Sequence, residues 1–233
     1  MLSIVIPTLN EEKSLPRLLE QIYNQTGIEF EVIVADNFSK DKTRRIAESF
    51  GARVVDGGLP AKARNCGEAV AKGEVILFLD ADVLLPAPDF LLKSVVEFTE
   101  KGLGIATCSI VPLSKKSIDK FFHHAYNLYV RLLQHVDACA PGFCIFVLKK
   151  VHVEIGGFDD TIFFEEDHDY SLRAAKISHF GVLKSYPILC SVRRFERDGR
   201  LTVVAKNILC RIYMLFKGPV RSDIFHYKWG YKK

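Results

Sequence analysis

Apolar residues along this chain fall into short unbroken runs separated by stretches with helical spacing. LSIVI (2–6), FEVIVA (30–35), ARVVD (52–56) and VILFL (75–79) predict four strands. Between the first two, Leu15, Leu18, Leu19 and Ile22 repeat at helical intervals, and Pro16 marks where that helix begins. Asp41 is the expected N-cap of a second helix through Ile46 and Ala47, closed by Gly51. A Gly-Gly-Leu-Pro turn leads into a third helix over 61–72, ended at Gly73. This alternation predicts an α/β fold with a mostly parallel, Rossmann-like sheet and helices on both faces. Ligands bind such sheets beyond the carboxyl ends of the strands.

The second half is less regular. Residues 90–99 read as a helix and GIATCSIV as a strand. Residues 115–136 read as a helix with Phe122, Ala125, Tyr126 and Tyr129 on one stripe, and FCIFVL (143–148) as a further strand. No repeat or low-complexity linker divides the chain. A mixed second half on a parallel first half predicts one continuous domain over 1–199, followed by a basic, apolar helical extension over 200–233.

Composition adds limits rather than a function. The 233 residues are 48% hydrophobic and 26% charged, as in ordinary globular proteins. A net charge of +4 is too mild to argue for nucleic acid as a partner. The basic excess is concentrated late: residues 193–233 hold eleven Lys and Arg against Glu196, Asp198 and Asp223. MLSIVIPTLNEE does not read as a signal peptide, because Pro7 and two acids interrupt its apolar stretch. No run approaches the roughly 18 apolar residues of a membrane span. The six cysteines form no CxxC pair and are expected to be reduced and packed as small hydrophobes.

The chemistry begins where the fourth strand ends. Asp80 and Asp82 follow VILFL, and burying a charge is costly unless it is paired or coordinated. Residues two apart on a strand share a face, so the two carboxylates converge if the extended geometry persists. Hard divalent cations take such oxygen ligands, and Mg²⁺ often combines one or two carboxylates with substrate phosphates. A turn capped by Asp, leading to Pro86 and Pro88, is the plain structural alternative. FLDADV also resembles haloacid-dehalogenase-like phosphatases, in which Asp80 would be the nucleophile and Asp82 the general acid. That motif belongs on the first strand of its domain, whereas three strands precede it here.

A second acidic cluster lies in GGFDDTIFFEEDHDYSLR (156–173). A helix beginning near Glu166 gains from acids in its first turn, and Asp169 and Arg173 stand at i,i+4 spacing for an ion pair. Those effects account for only part of six acids set beside Phe158, Phe163 and Phe164. A carboxylate beside aromatic rings can carry a raised pKa and serve as a base.

Taken together, SIVIPTLNEEKSL, EVIVADNFSKDKT, AKARNCGEAVAKGEVILFLDADV and GGFDDTIFFEEDHDYSLR resemble, in family order, the motifs of family-2 glycosyltransferases with the GT-A fold. The resemblance covers about residues 1–176 and implies an inverting, metal-assisted transfer from a nucleoside-diphosphate sugar. It divides the domain into a nucleotide-sugar half (1–112) and an acceptor half (113–199). Pro7, Thr8, Asn10 and Glu11 would line the nucleotide pocket, and Asp36 would hold the base or ribose. Lys62, Arg64 and Asn65 would lie near the base and diphosphate. Asp80, Ala81 and Asp82 would meet the donor, with Asp82 and Asp80 holding Mg²⁺ or Mn²⁺. Asp167 would be the general base, with Glu166 on the acceptor side. The donor would be a UDP- or GDP-sugar and the acceptor a glycan or lipid-linked molecule. The setting would be cytoplasmic, peripheral on the inner membrane face.

The chain also departs from that pattern. SYPILCSVRRF offers Ser191, Arg193 and Arg194 where many members place a metal-binding His, and His179 reads as a structural residue. Planar guanidinium groups suit phosphate, so Arg193 and Arg194 are candidate contacts for the diphosphate or an acceptor phosphate, against ordinary surface charge. Asn37 and Phe38 replace the acid and glycine common after the Asp36 position. The QxxRW motif of polymerising members is absent, which implies transfer of a single residue. In the tail, Val203, Val204, Ile208, Leu209, Ile212, Leu215 and Phe216 form an apolar stripe. A helix packed on the domain is the first expectation for it, and an interfacial helix on an anionic membrane is the second.

Overall fold

The computed structural model describes residues 1–225, so positions 226–233 of the expected extension lie outside the described residues. The first half alternates as its apolar runs require. Strand β1 (Leu2–Thr8) leads through α1 (Leu15–Tyr23) to β2 (Phe30–Asp36), then through α2 (Thr43–Ser49) to β3 (Arg53–Asp56). Helix α3 (Pro60–Glu68) returns the chain to β4 (Val75–Leu79), followed by the short β5 (Val83–Leu84) and α4 (Phe90–Glu100). The second half runs β6 (Ile105–Pro112), α5 (Ser117–Leu133), β7 (Cys144–Leu148) and α6 (Lys149–Glu154). It ends with α7 (Glu166–Ile177), β8 (Phe180–Cys190), α8 (Arg193–Asp198) and α9 (Arg200–Lys217).

The described strands form one eight-stranded sheet in the order β3-β2-β1-β4-β7-β6-β8-β5. Strands β3, β2, β1 and β4 are mutually parallel, β7 runs against both β4 and β6, and β8 lies parallel to β6. Successive side chains of β1 and β2 enter opposite cores. Ile4, Ile6, Val32 and Val34 pack with α1, α2 and α4, while Val5 and Ile33 pack with α3, α5, α6 and α7. Burial on both faces is why these strands read as unbroken apolar runs. The ladder directions bring the carboxyl ends of β1, β2, β4 and β8 and the amino end of β7 to one rim.

Several local expectations change. Helix α3 stops at Glu68 rather than continuing to 72: the Val70 and Ala71 amides turn to the Gly67 and Glu68 carbonyls three residues back (3.4 and 2.9 Å), and the Lys72 and Gly73 amides bond Glu31 (2.5 Å) and Ser3 Oγ (2.7 Å). Asp41 is not the N-cap of α2; it stands one residue earlier and accepts the Thr43 amide and the Glu12 amide (3.1 Å). On α5, Ala125 leaves the expected stripe for the exposed face, whereas Tyr126 and Tyr129 pack inward. All six cysteines are free. No helix among the described residues is long and apolar enough to cross a membrane.

Candidate functional site

The rim is assembled from loops that follow apolar strands. At the end of β1, Thr8 donates its hydroxyl to Asp36 (3.0 Å), the last residue of β2. Asp36 is wholly buried and also accepts Ser39 N–H (2.9 Å) and Ser39 Oγ–H (2.5 Å). Asn10, in left-handed backbone conformation, binds the Ser39 hydroxyl with its amide and the Lys40 amide with its side chain. These bonds lock the first two strand-end loops together. Pro7 is half-buried in β1, and Phe38 projects with 60% exposure from a backbone at φ 52°, a conformation uncommon for a bulky residue.

Strand β4 ends at Leu79, and residues 80–82 form a turn around the buried Ala81. The strand geometry expected to align Asp80 and Asp82 therefore does not persist, and the two carboxylates face different partners. Asp80 accepts a hydrogen bond from Arg64 Nη2 (3.1 Å), whereas Asp82 accepts from Arg193 Nε (2.7 Å). Burial pushes the Asp80 carboxyl up, opposed by the Arg64 charge and assisted by the neighbouring Asp82. Arg194, exposed on α8, bears on Asp80 through its charge.

Arg64 is the hub of the site. It is 2% exposed, and its second arm meets Glu166 at 2.8 Å, beneath the ring of Phe158 (5.3 Å to the centroid). Burial raises the Glu166 carboxyl, and the adjacent Asp167 raises it further. Asp167 itself is half-buried in the first turn of α7 and is oriented by two amides, from Gly142 (2.6 Å) and His168 (2.9 Å). Asp169 pairs with Arg173 at 2.7 Å, as its spacing requires.

Other predicted residues are placed less directly. Asn65 turns from the rim to brace Phe158, accepting its amide (2.9 Å) and donating to its carbonyl (2.8 Å). Lys62 is exposed on α3. Glu11 receives both arms of Arg193 (2.6 and 2.9 Å), and burial pushes its carboxyl up despite that cation. Arg193 thus bridges Glu11 and Asp82. His179 is exposed ahead of β8, at the opposite end of the sheet from Asp80.

Sequence reasoning missed three supports. Gly142 stands just before β7, where a Cβ would come within 2.3 Å of Arg64 Nη2. Its only signal was the Pro-Gly pair ahead of a strand. Glu165 holds left-handed backbone at φ 62° and is gripped by Arg211 of α9 at 2.9 Å. Burial pushes Glu165 up to about 7 against the pull of that arginine. Asp137 accepts from His168 (2.6 Å) and Tyr129, and the His168 bond holds its carboxyl down at about 2.

The donor set suits a hard cation. Asp80 and Asp82 offer only oxygen, and no group of three or more His, Cys, Asp or Glu suited to a metal occurs among the described residues. Their oxygens are the donor type that hard divalent cations take, although the turn after β4 points the two carboxylates at separate arginines. Asp82 is bound by Arg193 at 2.7 Å.

A family model described as glycosyl transferase family 2 matches residues 3–156. A glycosyltransferase of Haemophilus influenzae is 39% identical over 186 residues, covering 74% of this chain and 61% of its own length. The Staphylococcus aureus poly(ribitol-phosphate) beta-N-acetylglucosaminyltransferase TarS is 36% identical over 90 residues, covering 34% of this chain and 16% of TarS. This chain therefore spans less than two thirds of those relatives. Among solved structures, TarS in complex with UDP superposes with a TM-score of 0.68 at 19% identity, covering 93% of this chain and 72% of that one. A Pyrobaculum calidifontis mannosyltransferase in complex with GDP-Man and Mn²⁺ gives a TM-score of 0.65 at 20% identity, covering 89% of this chain and 64% of that one. At such identities the likeness establishes the fold.

Proposed function

Given that this chain belongs to glycosyl transferase family 2 and has the GT-A fold, we propose that it moves a single sugar from a nucleoside-diphosphate sugar to an acceptor hydroxyl or phosphate, with inversion. The observation that carries this reading is the meeting at Arg64 of two acid groups with different tasks. One arm holds Asp80 of the turn after β4 and the other holds Glu166, beside Asp167. The donor diphosphate lies against the first group and the acceptor approaches the second. Residues 1–112 form the donor half, 113–199 the acceptor half, and 200–233 an extension.

Asp167, aimed by the Gly142 and His168 amides, accepts the proton of the acceptor hydroxyl. The freed oxygen forms its bond to the anomeric carbon as the bond to the departing diphosphate breaks on the opposite face, which inverts that centre. Mg²⁺ or Mn²⁺ on Asp82 and Asp80, when bound, supplies Lewis-acid stabilisation of the charge gathering on the phosphates. Arg193 and Arg194 stand at the same rim, where guanidinium groups would take part of that charge. Bound UDP, UDP-GlcNAc and GDP-Man in the structural neighbours favour a UDP- or GDP-sugar as donor. The acceptor is a glycan or lipid-linked molecule at a cytoplasmic membrane face; one relative, from Pseudomonas fluorescens, is named as an undecaprenyl-phosphate 4-deoxy-4-formamido-L-arabinose transferase.

The phosphatase alternative does not fit. Its motif belongs on a first strand, whereas Asp80 follows β4 inside the region matched by the family model. Asp167→Asn tests the reading: it abolishes acceptor-dependent release of nucleoside diphosphate while leaving nucleotide binding largely intact. Unchanged turnover would refute Asp167 as the base. Donor binding by the unmodified chain without acceptor-stimulated turnover would leave only a non-catalytic sugar-nucleotide-binding module.

A further inference from the structure

Helix α9 packs on the domain by a narrow face and turns its apolar face outward. Val203 and Cys210 are its buried residues, and Cys210 packs with Phe164 and Val220. On the opposite side, Leu201, Ile208, Leu209, Ile212, Leu215 and Phe216 are all exposed, the last two by 82% and 80%. Spacings of 3, 4 and 7 residues keep this set on one side of the helix. The stripe expected to pack on the domain is thus mostly presented to the outside. Contiguous apolar surface of this kind marks an interaction site.

The charges indicate what it meets. Helix α9 contains Arg200, Lys206, Arg211 and Lys217 and no acid. Arg200 binds Asp119 of α5 (2.5 Å), and Arg211 reaches Asp137 just beyond α5 (3.7 Å), so the two helices are tied together near both ends. Helix α5 carries its own exposed apolar stripe, Ile118, Phe121, Leu128 and Leu132, together with Lys120 and Arg131. The sole acid within the two helices, Asp119, is buried beneath Arg200. A second copy of this surface would bring base against base across a two-fold axis. An anionic sheet of headgroups over acyl chains complements both the charge and the apolar face.

We propose that the outward face of α9 docks on an anionic phospholipid bilayer, its apolar side chains entering the headgroup boundary, with the exposed Lys217 of α9 and Lys120 and Arg131 of α5 meeting the phosphates at its flanks. Through Arg211 the same helix grips Glu165, one residue before Glu166 and Asp167. On the transferase reading, docking therefore brings the acceptor side of the cleft to the membrane, where a lipid-linked acceptor presents its headgroup. That last step rests on the proposed function; membrane docking itself does not.

The test is sedimentation of the full chain with phosphatidylcholine vesicles and with phosphatidylcholine–phosphatidylglycerol vesicles, without donor or acceptor. The chain is expected to pellet with the mixed vesicles and remain soluble with the neutral ones, and added salt is expected to weaken binding. Leu215→Glu with Phe216→Glu is expected to lower vesicle affinity by about tenfold or more, while its thermal unfolding matches that of the parent because both side chains are exposed. Equal binding by parent and variant overturns the proposal. So does failure of the parent to bind mixed vesicles, or a concentration-dependent dimer, abolished by the double variant, in a chain that ignores vesicles. Loss of vesicle binding alongside intact transfer to a soluble acceptor would separate docking from catalysis.

Discussion

Arg64→Ala removes the cation shared by two acids from different parts of the chain. Glu166 keeps only 8% side-chain exposure and cannot recover by hydration, whereas Asp80 at 37% recovers in part. Breaking a buried ion pair by deleting one partner costs about 3–5 kcal/mol, so the lower part of that range applies. For a domain of this size each kcal/mol lowers the unfolding midpoint by about 2–4 °C, which gives a fall of roughly 6–12 °C. The deficit depends on pH. Burial already raises Asp80 and Glu166, and loss of the guanidinium raises both further. A carboxyl with a raised folded pKa binds its proton more tightly in the folded state, so the variant loses stability as pH rises from the unfolded range, about 4, through the folded values. Urea unfolding at about pH 7 and about pH 4 is the assay, with the larger deficit expected at the higher pH. Arg64→Lys keeps the charge but loses the two-armed fork and falls between. A pH-independent deficit, or one below about 1 kcal/mol at neutral pH, would refute Arg64 as the electrostatic hub.

Arg193→Ala frees Asp82 and Glu11 from a competing cation, so titration calorimetry without nucleotide is expected to show several-fold tighter Mn²⁺ binding; unchanged or weaker binding refutes that competition. Asp137→Asn removes a carboxyl held at about 2, whose stabilising effect is complete above its unfolded pKa and disappears as pH falls toward 2. The variant is therefore expected to unfold at lower urea than the parent at neutral pH, and the gap to close in strong acid; a gap that persists there contradicts the assignment. Gly142→Ala drives a methyl against Arg64 and is expected to reduce turnover while sparing the far sheet edge, with hydrogen exchange faster in α7 and unchanged in β2 and β3 as the readout. Equal exchange in α7 would show that the loop absorbs the methyl.

What the sequence determined by itself is the local order. The first four strands are legible because burial on both faces demands continuous apolar runs, and α7 because acids favour its first turn. Asp80, Asp82, Glu166 and Asp167 stand out since charges beside apolar segments require a purpose. Only the tertiary structure decided which charges meet. Arg64 reaches Glu166 across 102 positions, and Arg193 reaches Asp82 across 111 and Glu11 across 182. Spacing along a chain carries no information about such pairs, which arise when parallel ladders bring distant strand ends to one rim. The partners of Asp80 and Asp82 likewise depend on β4 ending before them, which parts their side chains toward separate arginines. The period of α9 could be read as an apolar stripe, but periodicity is the same for a face turned toward a core or away from it. Packing fixed that choice: Val203 and Cys210 are buried against the domain, with Tyr213 and Met214 packed beside Cys210, and the wider apolar face lies outside.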